Sequence, residues 1–175
     1  VEGPKPGGQI QWLALVGDTL LMLAGDADSY LPQTLQTQLK DPTGTVLGGY
    51  DVAKKKWSWR VDTAGPIDMR RIVSLGDKVY YFANGQFARC RNVSDGAVVW
   101  TQDDKEIVKT IEEVREDLSG ELYSVRWLLA VDNALVFGNK AQKHMVGLDP
   151  QTGKSLWSKE IAARWGRSFR GMVVD

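Results

Sequence analysis

Catalytic raw material is scarce in this chain of 175 residues, which holds one cysteine, Cys90, and one histidine, His144. A single cysteine excludes an internal disulfide framework, and a single histidine excludes any multi-histidine metal site. Cys90 is expected to be a small buried strand residue and His144 to pack at a strand start. No apolar run reaches the roughly 18–20 residues that a membrane-spanning helix needs. Charge of either sign in excess is also missing: 22 Lys and Arg face 22 Asp and Glu. That balance argues against bulk electrostatic attraction to nucleic acid, and the lone basic–aromatic stretch at 164–170 does not reverse it. Asp26-Ala27-Asp28 opens like a calcium loop, but Leu31 stands where an EF-hand needs glycine and Thr37 where it needs glutamate. Asn92-Val93-Ser94 fits the glycosylation pattern, although Asn92 has a second explanation in the repeat below.

What the chain does have is tryptophan, seven in all. Three of them follow an acid or amide at a fixed distance of eight residues: Asp51…Trp59, Asn92…Trp100 and Asp149…Trp157. A two-residue hairpin signal precedes each pair, at Gly17-Asp18, Gly76-Asp77 and Asp132-Asn133. From Asp77 to Trp100 is 23 residues and from Asn133 to Trp157 is 24, whereas the first copy takes 41 and so carries a long insertion. The compact second copy reads as four short strands, Arg70–Leu75, Lys78–Ala83, Gln86–Val93 and Val98–Gln102, separated by Gly-Asp, Asn-Gly and Ser-Asp-Gly turns.

A repeated four-stranded meander is the signature of a β-propeller blade. The predicted fold is therefore all-β, about three antiparallel blades with one inserted amphipathic helix. Blade one covers about 10–62 with a loop insertion at 26–44, and blade two about 67–102. The helical insertion covers 103–120, blade three about 123–161, and the start of a further blade 165–175. One blade exposes two apolar faces, so blades are stable when stacked, and each tryptophan is expected to pack its ring on the turn of the adjacent unit.

The segments from Leu148 to Trp157 and from Asn92 to Trp100 resemble the tryptophan-docking repeat of quinoprotein-like propellers. The resemblance covers about residues 10–175 and is weakest in copy one, where Lys55 replaces the turn glycine. That superfamily includes the pyrroloquinoline-quinone (PQQ) alcohol dehydrogenases and cofactor-free relatives such as the propeller lipoprotein of the bacterial outer-membrane assembly machine. The resemblance implies an eight-bladed parent and a periplasmic or cell-envelope setting. Propellers close with roughly four to eight blades, Val1 is not an initiator methionine, and residues 170–175 look like an opening strand. The chain is accordingly expected to be a fragment whose missing blades come from its parent or from another copy, with self-association as one consequence.

Meander geometry places both insertions on one face of the propeller. The first, at 26–44, is polar and reads as a loop. In the second, Ile107, Ile111, Val114 and Leu118 form a helical stripe, Asp103 or Asp104 can cap it, and Gly120 can end it. A decorated face opposite a plain one is where binding residues are expected. Seven residues before two of the hairpin signals stand Arg70 and Arg126, and Arg170 occupies a similar place in the incomplete copy. These arginines either ring the channel mouth as a site for a carboxylate, phosphate or acidic peptide, or pair with acids between blades. The favoured function is a non-enzymatic scaffold that needs no cofactor and binds a protein or ligand through the decorated face. The alternative is a piece of a PQQ-dependent dehydrogenase, for which the resemblance implies PQQ, calcium and an adjacent-cysteine disulfide; no Cys-Cys pair is present.

Overall fold

Residues 8–25, 43–112, 127–138 and 144–160 are described by the computed structural model. Blade one is built from β1 (Gln9–Val16), β2 (Thr19–Gly25), β3 (Thr43–Asp51) and the first part of β4 (Lys56–Leu75). Blade two takes the second part of β4 with β5 (Lys78–Ala83), β6 (Phe87–Asn92) and β7 (Val98–Gln102). After α1 (Lys105–Glu112), blade three follows with β8 (Trp127–Val131), β9 (Ala134–Gly138), β10 (His144–Leu148) and β11 (Ser155–Glu160). All pairings are antiparallel between sequence neighbours, which makes each blade a meander. This is a β-propeller segment of three blades.

The sequence reading separates the last strand of blade one from the first of blade two, whereas the structure runs them together as β4. Its N-terminal half pairs with β3 and its C-terminal half with β5, the register shifting between Ile67 and Ile72. Pro66 sits at this handover. Lacking an N–H, it cannot continue a ladder as donor, but its carbonyl accepts from Asn84 N at 2.9 Å.

Strand alternation sends each blade's apolar residues to two faces. Leu21, Leu23, Leu47 and Trp59 of blade one meet Val79, Tyr81, Phe87 and Val93 of blade two. Tyr80, Phe82, Cys90 and Trp100, on the opposite face of blade two, meet Leu135, Phe137, Val146 and Leu148 of blade three. The core is thus two stacked interfaces, each made from one face of each neighbour.

Each interface is locked by a tryptophan. A β-bulge after Gly49 turns Trp59 toward blade two while Trp57 turns the other way, against Tyr50. Trp59 Nε1 donates to Val93 O at 2.7 Å, and its ring covers Gly96. Trp100 repeats this one blade later, donating to Pro150 O at 2.9 Å and covering Gly153. Gly96 and Gly153 each have φ of 70°, a left-handed backbone that closes the turn and leaves a flat seat for the indole.

Candidate functional site

The hydrogen bonds of the turns separate the two faces of the propeller. On one face the short hairpins meet the turns between third and fourth strands, through Val52 N to Asp18 O and Val93 N to Asp77 O, both at 2.9 Å. On the other face the Asn84–Gln86 turn lies beside the blade junction, with Asn84 N on Pro66 O and Gln86 Nε2 on Ala64 O at 3.3 Å. Helix α1 leaves β7 on this second face. Thr43 and Gly44, expected to close the loop insertion at 26–44, are instead the first residues of β3 and pair with Asp68 and Ile67 at the same end. The expectation that both insertions attach to one face therefore agrees with where their described flanks lie; residues 26–42 and 113–126 are outside the described residues.

Helix α1 starts at Asp104, whose carboxylate Oδ1 accepts from Glu106 N at 3.0 Å and Ile107 N at 3.1 Å. That is an N-cap, and it also places a negative charge at the positive end of the helix. Val108 and Ile111 are the buried residues, with Ile107 only partly buried; Val114, Leu118 and Gly120 fall outside the described residues.

The Ile111–Glu112 part of α1 is held by a residue that the sequence alone does not single out. Arg71, on the innermost strand of blade two, is fully buried. Its Nη2 donates to Ile111 O at 2.9 Å and its Nη1 to Glu112 Oε2 at 2.8 Å, while the guanidinium lies 5.0 Å above the Phe82 ring. The planar guanidinium satisfies a backbone carbonyl and a carboxylate of the helix together.

Between α1 and the Asn84–Gln86 turn lies an open cleft of about 430 Å³ lined by Gly85, Gln86, Asp103, Lys105, Val108, Lys109 and Glu112. Its wall carries acids, bases, an amide and one aliphatic side chain. That set suits a polar, chain-like surface better than an enclosed small molecule.

Of the arginines expected at the channel mouth, Arg70 is described and Arg126 and Arg170 are not. Arg70 N and Nε donate to Asp68 Oδ1 at 2.9 and 2.8 Å, and Nη2 meets Oδ2 of the same buried carboxylate. One bidentate edge of Arg70 is therefore occupied by its own strand. His144 opens β10, as a strand-start residue should. Cys90 is fully buried, and burial pushes its thiol up to about 11; beside it, burial pushes the Tyr80 hydroxyl up to about 12. Asn92 serves its turn, its carbonyl accepting from Gly96 N at 3.0 Å. The calcium-like stretch 26–28 and the basic–aromatic stretch 164–170 lie outside the described residues. Among the described residues, no three His, Cys, Asp or Glu side chains gather into a group able to hold a metal ion.

Comparison with known proteins places the fold. No family model matches the chain, and no curated protein matches it by sequence. Solved structures do resemble it. BamB from Moraxella catarrhalis superposes with a TM-score of 0.55 at 16% identity, over 88% of this chain and 38% of BamB. The computationally designed Ika4 protein gives 0.58 at 12% identity, over 93% of this chain and 78% of Ika4. The quinohemoprotein alcohol dehydrogenase from Comamonas testosteroni gives 0.53 at 15% identity, over 85% of this chain and 20% of the enzyme. The chain thus spans well under half the length of BamB and of the dehydrogenase. At these identities the likeness concerns the fold.

Proposed function

We propose that the chain forms part of a non-enzymatic β-propeller scaffold that binds a protein partner through the face carrying α1. The observation that carries this reading is the anchored helix itself. A buried guanidinium fixes α1 at the rim of blade two, where the helix walls an open cleft of mixed charge. Rigid presentation of an adaptable polar surface is what a protein-binding loop region requires. Arg70, Arg126 and Arg170 are proposed to bias this face toward acidic groups of the partner. Asp68 already takes one edge of Arg70.

The second reading, a segment of a quinone-dependent alcohol dehydrogenase, draws on the likeness to the Comamonas testosteroni enzyme. It would require PQQ and calcium, whose ligands do not match residue by residue onto this chain. The two readings separate on titration of the complete protein with PQQ and calcium, followed by a dye-linked alcohol oxidation assay. Neither binding nor turnover is expected; stoichiometric binding with turnover would replace the scaffold reading.

A further inference from the structure

The fifth residue of the turn between third and fourth strands is glycine in blades two and three and lysine in blade one, and this difference decides which blades can follow one another. In each turn the fifth residue is left-handed: Lys55 with φ of 54°, Gly96 and Gly153 with φ of 70°. Gly96 and Gly153 lie directly under the indole of the preceding blade. A Cβ on Gly96 would fall 2.6 Å from Trp59 Cε3, and one on Gly153 would fall 2.7 Å from Trp100 Cδ2. Both distances are far inside van der Waals contact, and both neighbours are rigid rings, so the seat tolerates no side chain.

Lys55 has a side chain at that position. Its turn is otherwise well formed, with Asp51 Oδ1 accepting from Lys54 N at 2.7 Å. Nothing among the described residues covers it: Val52, the counterpart of Val93, is 47% exposed, whereas Val93 under Trp59 is 4% exposed. The face of blade one beside this turn carries its own aromatic pair, Tyr50 and Trp57, with ring centroids 5.7 Å apart, and exposes Leu13 and Leu15. At the opposite end, Trp157 occupies the position of Trp59 and Trp100, yet no carbonyl among the described residues takes its indole N–H, and its ring is only half-buried.

We infer that Lys55 closes the first blade to tryptophan seating, so that Trp157 receives a blade whose turn reads Asx-X-X-X-Gly and not the first blade of another copy. The occupant of the Trp157 face is assigned by continuity with the two interfaces inside the chain, which use that turn twice. The consequence concerns assembly. A head-to-tail contact between identical chains generates rings or open filaments, and Lys55 removes the seat on which such a contact would lock. Copies that associate through that face of blade one do so without a seated tryptophan.

Sedimentation equilibrium of the full chain tests this with Lys55→Gly, Lys55→Ala, Trp157→Ala and the Lys55→Gly/Trp157→Ala double variant. Circular dichroism checks that each is folded, and glycine suits the left-handed position. Lys55→Gly is expected to strengthen self-association by about tenfold or more, the scale of an interface anchor, and the double variant to lose the gain. Lys55→Ala, which removes the charge but keeps Cβ, is expected to behave as wild type, and Trp157→Ala alone to change nothing. The inference is overturned if Lys55→Gly associates no more tightly than wild type, if Lys55→Ala shares the gain, or if Trp157→Ala weakens association of the wild-type chain.

Discussion

Gly153 has no room for a methyl group. Replacing it with alanine puts Cβ into the Trp100 ring and asks a non-glycine residue to hold φ of 70°. Overpacking of about 1–3 kcal/mol adds to a left-handed backbone cost of about 1–2 kcal/mol, so Gly153→Ala should lower the urea midpoint clearly. Asp149 supports the same turn: its carboxylate accepts from Gln151 N at 2.7 Å and Thr152 Oγ1 at 3.0 Å. Those bonds, the backbone one foremost, hold its pKa below the ordinary aspartate value. A depressed folded pKa contributes stability above the unfolded value and loses it as pH falls through the folded one. Acid below about pH 4 should therefore loosen the turn in the wild type, and Asp149→Asn should flatten that part of the stability profile. Cys90 has the opposite sign. Its thiol, raised to about 11, contributes stability that is fully present below the unfolded pKa and is lost as pH rises through the folded value. At pH 8 a maleimide should label native Cys90 far more slowly than the unfolded chain, and equal rates would contradict its burial.

At the scale of elements, α1 depends on a side chain outside itself. Val108, Ile111 and the grip of Arg71 hold the described turns of α1 against the blades. Removing one partner of a buried, paired charge costs about 3–5 kcal/mol, and Arg71→Ala should approach that figure in denaturant unfolding. Arg71→Met should cost less, because its side chain keeps part of the buried packing over Phe82 that alanine gives up. In both variants amide exchange should rise first at the end of α1. The strands themselves were legible because alternation and turn chemistry repeat three times; Lys78–Ala83 and Val98–Gln102 stand where the sequence reading put them. Fusion of two strands into β4 was not legible, since Pro66 reads as a breaker and only the tertiary handover between ladders shows it as a junction. Arg71 was hidden for a similar reason. A buried guanidinium is identified by what surrounds it, and Ile111 and Glu112 are about 40 positions away in sequence.

At the scale of the molecule, the eight-residue spacing from Asx to tryptophan carried most of the architecture, because a seat and a ring must recur for blades to stack at a constant angle. The spacing also marked Lys55 as an odd residue. Its meaning required the distances at Gly96 and Gly153, which show that the seat has no space for Cβ. The site was less legible. The decorated face followed from meander geometry, but its cleft depends on a cap at Asp104 and a clamp at Arg71. The proposed binding face is tested most directly by photo-crosslinking of the complete protein in its native cells, with the crosslinker placed at Lys109 on α1 or at Lys54 on the plain face. The scaffold account predicts one discrete protein adduct from position 109, lost when Arg71→Ala releases the helix, and none from position 54. The same adducts from both positions, or an adduct from position 54 alone, would contradict it.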